Sequence, residues 1–224
     1  MKILKGISIG ALLLFLISLL IVIISLISNI VKTNNLKDDY SSIYEDSKYE
    51  EKYIIDDIEL VNQEISCGYA VIEMFAKWDG RADLTEKSLY DNYGGIVTST
   101  GKSFEDEMNK QFNNYHTTMY KYLKNSIMLD KIYNSLKNNI PVPFEWAAKK
   151  DDKWTLHYSL IYGIDVKNDL IYILNPYGYK EELKFNEFLE RTNYRAYEKM
   201  PFYYELAFAF GIFEKNTIFI VEKM

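Results

Sequence analysis

The chain has 224 residues, a formal charge of −6, 16% aromatic residues including 20 Tyr, and one cysteine. That is enough apolar material for one packed domain beyond a short terminal segment. The acidic balance argues against a nucleic-acid partner, which calls for a basic face, and a single cysteine excludes an intrachain disulfide.

Residues 7–31 carry no charge. At about 1.5 Å per residue a helix of that length crosses a hydrocarbon core of about 30 Å. The run exceeds the apolar region of a cleaved signal peptide, and Ser25, Ser28 and Asn29 make a poor cleavage site. It is therefore expected to be an uncleaved anchor, with Lys2 and Lys5 inside and the rest of the chain outside the cytoplasm. The division expected is residues 1–31 as cytoplasmic tip and membrane anchor, 32–52 as a polar spacer, and 53–224 as one domain, monomeric and extracytoplasmic.

Within that domain, Tyr53 to Val61 reads as a short strand. Ser66-Cys67-Gly68 opens a helix, with Ala70, Val71, Met74, Phe75 and Trp78 at helical spacing. Thr85 is a candidate N-cap, Gly94-Gly95 a loop, and Ser103 with Asp106 a candidate capping box. An amphipathic stretch covers Ile127 to Leu136. Strands are expected at Ile140–Trp146, His157–Ile164, Leu170–Leu174, Tyr204–Phe210 and Asn216–Val221, all rich in Tyr, Ile and Phe. Helices first and strands afterwards make an α+β fold.

Chemistry concentrates on Cys67. A thiol at a helix N-terminus meets the positive end of the dipole and unpaired amides, so it is expected to titrate low. Gly68 leaves room for a substrate carbonyl, and Gln63, or the adjacent Asn62, can supply an amide to an oxyanion hole. His157 starts one strand, and Asn175 in ILNPYG ends the next. An Asn there holds the imidazole toward the thiol and completes a Cys, His, Asn triad. His116 reads as surface or helix-end structure. With two histidines, one cysteine and no cofactor motif, neither metal nor organic cofactor is expected.

The stretches VNQEISCGYAVIEMFAKWDG, LKNNIPVPFEW followed by HYSLIYGID, and IYILNPYG together resemble the bacterial cysteine peptidases of the double-glycine leader, bacteriocin-processing type, in their transporter-free form. FNEFLERT resembles the helix that closes such domains. The resemblance covers most of residues 58–195. It implies a papain-like cysteine peptidase fold, with a helical half carrying the Cys and an antiparallel sheet carrying His and Asn. It also implies a peptide or protein substrate, with Cys67 as nucleophile, His157 as base, Asn175 as orienter and Gln63 as oxyanion donor. The sequence departs from the family in two places. Gln63 stands nearer Cys67 than is usual, and Asn175 replaces an Asp. No ATP-binding cassette follows, so coupled export is not implied. Two other functions remain on the same fold: a catalytically silent peptide-binding or immunity-type module, and an acyl or amide transferase.

Overall fold

A computed structural model describes residues 2–93, 100–194 and 202–224; Gly94-Gly95 lies outside them. The elements in order are α1 (Lys2–Asn35), α2 (Ser42–Glu45), β1 (Tyr53–Ile54), α3 (Cys67–Trp78), α4 (Glu86–Tyr93), α5 (Gly101–Gln111), β2 (Tyr115–Tyr120) and α6 (Asn125–Lys137). There follow β3 (Val142–Lys150), β4 (Lys153–Asp165), β5 (Leu170–Asn175), β6 (Tyr179–Lys184), α7 (Phe185–Thr192), α8 (Phe202–Ala209) and β7 (Thr217–Lys223). The strands form one antiparallel sheet in the order β2-β7-β3-β4-β5-β6. β1 pairs with the end of β4 beyond the reach of β3.

Four expected strands and the amphipathic helix stand where periodicity put them, as β3, β4, β5, β7 and α6. The stretch Tyr204–Phe210 differs: most of it belongs to the helix α8. FYYELAFA is apolar on every side and carries no period that separates strand from helix, and β-propensity yields there to tertiary packing. Strands β2 and β6 are additional, β2 placing His116 at an exposed position. The expected strand at Tyr53–Val61 shrinks to two residues. The capping box also shifts: Thr100 caps α5 and Ser103 is its reciprocal partner. Thr85 and Ser88 exchange the bonds expected of an N-cap.

α3 is the central helix. Tyr69 to Ile72 and Met74 to Ala76 are fully buried, and the core they join includes Phe104, Phe144, Leu160, Ile173 and Phe219 from α5 and the sheet. Burying both sides of α3 fixes the position of its first residue, Cys67.

The segment expected to be a spacer is instead a strap. α1 runs on to Asn35, and Leu36 and Ile43 are 5% and 4% exposed. The Leu36 carbonyl accepts from Asn125 N–H at 3.0 Å, and the Asp38 carboxylate accepts from the Ser126 N–H at 3.0 Å and from its hydroxyl, capping α6 from outside. Tyr49 meets Tyr133 edge-on at 4.9 Å and donates to Asp130 at 2.6 Å. The pattern was invisible in sequence because each apolar residue of the strap finds its partner far along the chain.

Two substitutions in the full-length protein test the strap by chemical denaturation in detergent. Asp38→Ala is expected to cost about 1 kcal/mol, as lost caps do, and Ile43→Ala about 2–4 kcal/mol. A free spacer would leave both midpoints unchanged.

Candidate active site

The turn between β5 and β6 builds one half of the site. Asn175 is paired with Tyr179, and the Gly178 N–H returns to the Asn175 carbonyl at 2.9 Å, with Gly178 at φ +96°. A left-handed residue is needed there, which glycine accepts at no steric cost. The Asn175 side chain is completely buried, with both its oxygen and its nitrogen bonded. Its Oδ1 accepts from the Tyr177 N–H at 2.9 Å and lies 2.9 Å from His157 Nε2, while its Nδ2 donates to Glu181 at 2.6 Å. The carboxylate of Glu181 accepts only, so it fixes which end of the amide is nitrogen. Oδ1 therefore faces the imidazole, His157 carries its proton on Nε2, and Nδ1 remains as an acceptor.

Behind this sits Arg191 of α7. It pairs with Glu181 at 2.9 Å, donates to the Ala147 carbonyl at 2.9 Å and lies 3.8 Å over the Trp146 ring. Trp146 is opposite His157 in the β3–β4 register. The Tyr177 ring stacks on the imidazole at 3.9 Å and 21°, held by a 2.8 Å bond between its hydroxyl and that of Thr155. His157 is clamped between a ring and an amide.

The other half is the start of α3. Ser66 has extended N-cap backbone but does not cap the helix with its side chain. The amides of Cys67 and Gly68 lie by the thiol, as does the Tyr158 amide, next to His157 in β4. No hydrogen bond joins thiol and imidazole among the described residues. The preceding loop is held by a residue that sequence reasoning missed. Glu86, 5% exposed, accepts from the backbone N–H of Glu64 and Ile65, each at 2.8 Å, and of Ser66. Its own N–H donates to Glu73 at 2.6 Å. An acidic residue in a first helical turn reads as dipole complement, and only the tertiary fold shows that its carboxylate organises the loop before Cys67.

Gln63 donates its backbone N–H to the Pro176 carbonyl at 2.8 Å, which ties this loop to the Asn175 turn. Its side-chain Oε1 is buried without a hydrogen-bond partner. Asn62 lies against Gly178. The structure thus gathers Cys67, His157, Asn175 and Gln63 around one turn and one helix end.

Residues 55–202 match the model of the Peptidase_C39 like family. The chain belongs to that family. This bears out the resemblance carried by the motifs around Cys67, His157 and Asn175, and it makes the α+β domain a papain-like fold of the cysteine peptidase class. No curated protein matches the chain.

The electrostatics of this member of the C39-like family depart from the expected low-pKa thiol. Burial pushes Cys67 up to about 11, against the pull of the Tyr158, Gly68 and Cys67 amides. Burial, helped by the charges of Arg191 and Lys150, pushes His157 down to about 3 against its bond to Asn175. Desolvation disfavours both charged forms, so at neutral pH a neutral thiol faces a neutral imidazole. Glu145 of β3 is buried at the far side of Tyr158, whose hydroxyl lies beside it without hydrogen-bond geometry. Burial, with Glu214 nearby, pushes that carboxyl up to about 7.

Two predictions follow from this geometry. Asn175→Asp sets a second carboxylate against Glu181, and Glu181→Gln leaves Arg191 short of a charge partner, so each is expected to cost about 1–3 kcal/mol at pH 8. The double variant exchanges carboxylate and amide and restores complementarity. Its unfolding midpoint is expected well above the additive value, and strict additivity would refute the network.

For Glu145 the folded pKa is raised above the unfolded one, so its contribution is full below about pH 4.5 and lost as pH rises through about 7. Glu145→Gln is therefore expected to stabilise at pH 8, by up to about 3 kcal/mol, and to gain little at pH 4.5. Equal midpoint shifts at both pH values would remove the buried acid from consideration.

Proposed function

We propose that the protein is a membrane-anchored thiol hydrolase, a peptidase that cleaves a peptide or protein chain through an acyl-enzyme on Cys67. The observation that carries this reading is the bond between His157 Nε2 and Asn175 Oδ1, which leaves Nδ1 as the acceptor toward the helix end bearing the thiol.

With both partners neutral, His157 acts as a general base during attack. As Sγ bonds to the scissile carbonyl carbon, the thiol proton passes to Nδ1. The oxyanion formed is met by the amides at the start of α3 and by the Nε2 donor of the Gln63 side chain. The imidazolium then protonates the leaving amine, and the same imidazole draws a proton from water to hydrolyse the thioester. Tyr177 over the ring and Asn175 at its edge keep it from turning away during these transfers. The fit of the family supports the peptidase class, and α1 supports the anchor: 27 residues, Ile9–Asn35, are long and apolar enough to cross a membrane. Lys2 and Lys5 favour placing the domain outside the cytoplasm.

One observation favours a second reading, a silent peptide-binding module: thiol and imidazole make no hydrogen bond and burial holds both neutral. Peptide cleavage and iodoacetamide labelling by the full-length protein decide between them. Cys67→Ala is expected to abolish cleavage, and His157→Ala to lower kcat/KM about 10²–10⁴-fold. Labelling of the native protein is expected to be slow at pH 6 and to quicken on the alkaline side. Labelling only after unfolding, without cleavage of any peptide, would give the module reading its place.

A further inference from the structure

Outside α1, and apart from the terminal Met224, the most exposed large apolar side chains among the described residues all come from one short segment. Phe202 and Tyr203 are each 63% exposed, Ile212 57% and Phe210 50%. Over residues 202–213, FYYELAFAFGIF, the only charge is Glu205. A soluble surface scatters such side chains singly, and a cluster of them marks a contact.

α8, which opens this segment, packs beside α1. The contact lies at the end of the apolar run: Asn29 and Thr33 are 6% exposed, Lys215 donates to the Thr33 hydroxyl at 2.9 Å, and Glu205 shares a small groove with Asn29 and Thr33. On α1, the polar side is turned to the domain and the apolar side away from it. Ile27, Ile30 and Val31, at the same height, are 51–59% exposed. On the covered side the half-buried residues continue down α1 through Leu26 and Ser25 to Val22. From Asn29 to Val22 is about 10 Å of helix, the depth to which interfacial helices sink. A bilayer that covers the apolar side of α1 as far as Val31 therefore also reaches the segment packed against its other side.

We infer that residues 202–212 form a foot that lies in the interfacial layer of the lipid bilayer next to α1. The partner is the acyl–headgroup boundary itself, chosen by continuity with α1 and by a surface of Phe, Tyr and Ile whose only charge, Glu205, lies in the groove with Asn29 and Thr33. The inner side of the same helix is tied to the site: Phe208 and Tyr204 pack with Tyr194, Ala147, Trp154 and Leu156, the last two just ahead of His157 in β4. The foot thus fixes the height of the catalytic strand above the lipid.

The inference rests on the anchor reading of α1 and is independent of catalysis. The test uses full-length Cys67→Ala, which has no other cysteine. It is carried out in vesicles of phosphatidylcholine and phosphatidylglycerol, with an environment-sensitive fluorophore on single cysteines at Tyr203→Cys, Ile212→Cys, Ser18→Cys in α1 and Lys87→Cys in α4. Lipids bearing a nitroxide near the headgroup are expected to remove about half of the emission at positions 203 and 212, which resist aqueous iodide. Position 87 is expected to show the reverse, and position 18 to be quenched by a nitroxide deep in the acyl chain. Positions 203 and 212 behaving like 87 while 18 is quenched would overturn the foot alone. An unquenched position 18 would overturn the anchor, and the foot with it.

Discussion

The rest of the site depends on a single buried carboxamide, that of Asn175. Asn175 takes one proton from the Tyr177 backbone, faces His157 Nε2 with the same oxygen and gives a proton to Glu181. Buried amides are stable only when every donor and acceptor is met, so the turn shape, the imidazole tautomer and the position of Glu181 are one condition. Arg191 extends it into α7 by pairing with Glu181 and stacking on Trp146, which returns to β4 through a 3.0 Å bond to Ser159. The circuit from β4 through β5, β6, α7 and β3 closes on itself. It also explains why an amide suits position 175: beside Glu181 a carboxylate would set a second negative charge.

Cys67 is positioned in a different way. α3 enters the core on all sides, and the loop before it is drawn by three backbone amides onto Glu86. The two halves meet through backbone, at the Gln63 to Pro176 bond and where the Tyr158 amide approaches the thiol. His157 is buried there, while Cys67 keeps part of its surface open. Burial raises the cost of any charge, which is why thiol and imidazole are both held neutral.

Much of this was legible in the sequence where the signal is local. Cys67 at a helix start, the strand bearing His157, the NPYG turn and the helix FNEFLERT need only neighbouring residues to declare themselves. The signals that failed are long-range or ambiguous. Glu86 looks like any acid in a first turn. Leu36 and Ile43 sit in a polar stretch and are buried by partners up to about a hundred residues away. Apart from Glu205, Tyr204–Phe210 is apolar throughout, which period analysis cannot resolve. The helix dipole pointed to a low thiol pKa, but the desolvation that outweighs it is a property of the assembled core.

The strap has a consequence for the whole molecule. α1 continues without a break to Asn35, the next carbonyl already accepts from α6, and Asp38 caps that helix. Thr33 and Asn29 are held against the domain a turn earlier, with Lys215 on Thr33. No residue in this stretch is left to act as a joint, since each backbone turn from Asn29 to Asp38 carries at least one buried or bonded group. An α1 that spans a bilayer therefore transmits its own tilt to the sheet, and the orientation of Cys67 and His157 to the bilayer follows from the helix axis instead of from a flexible tether.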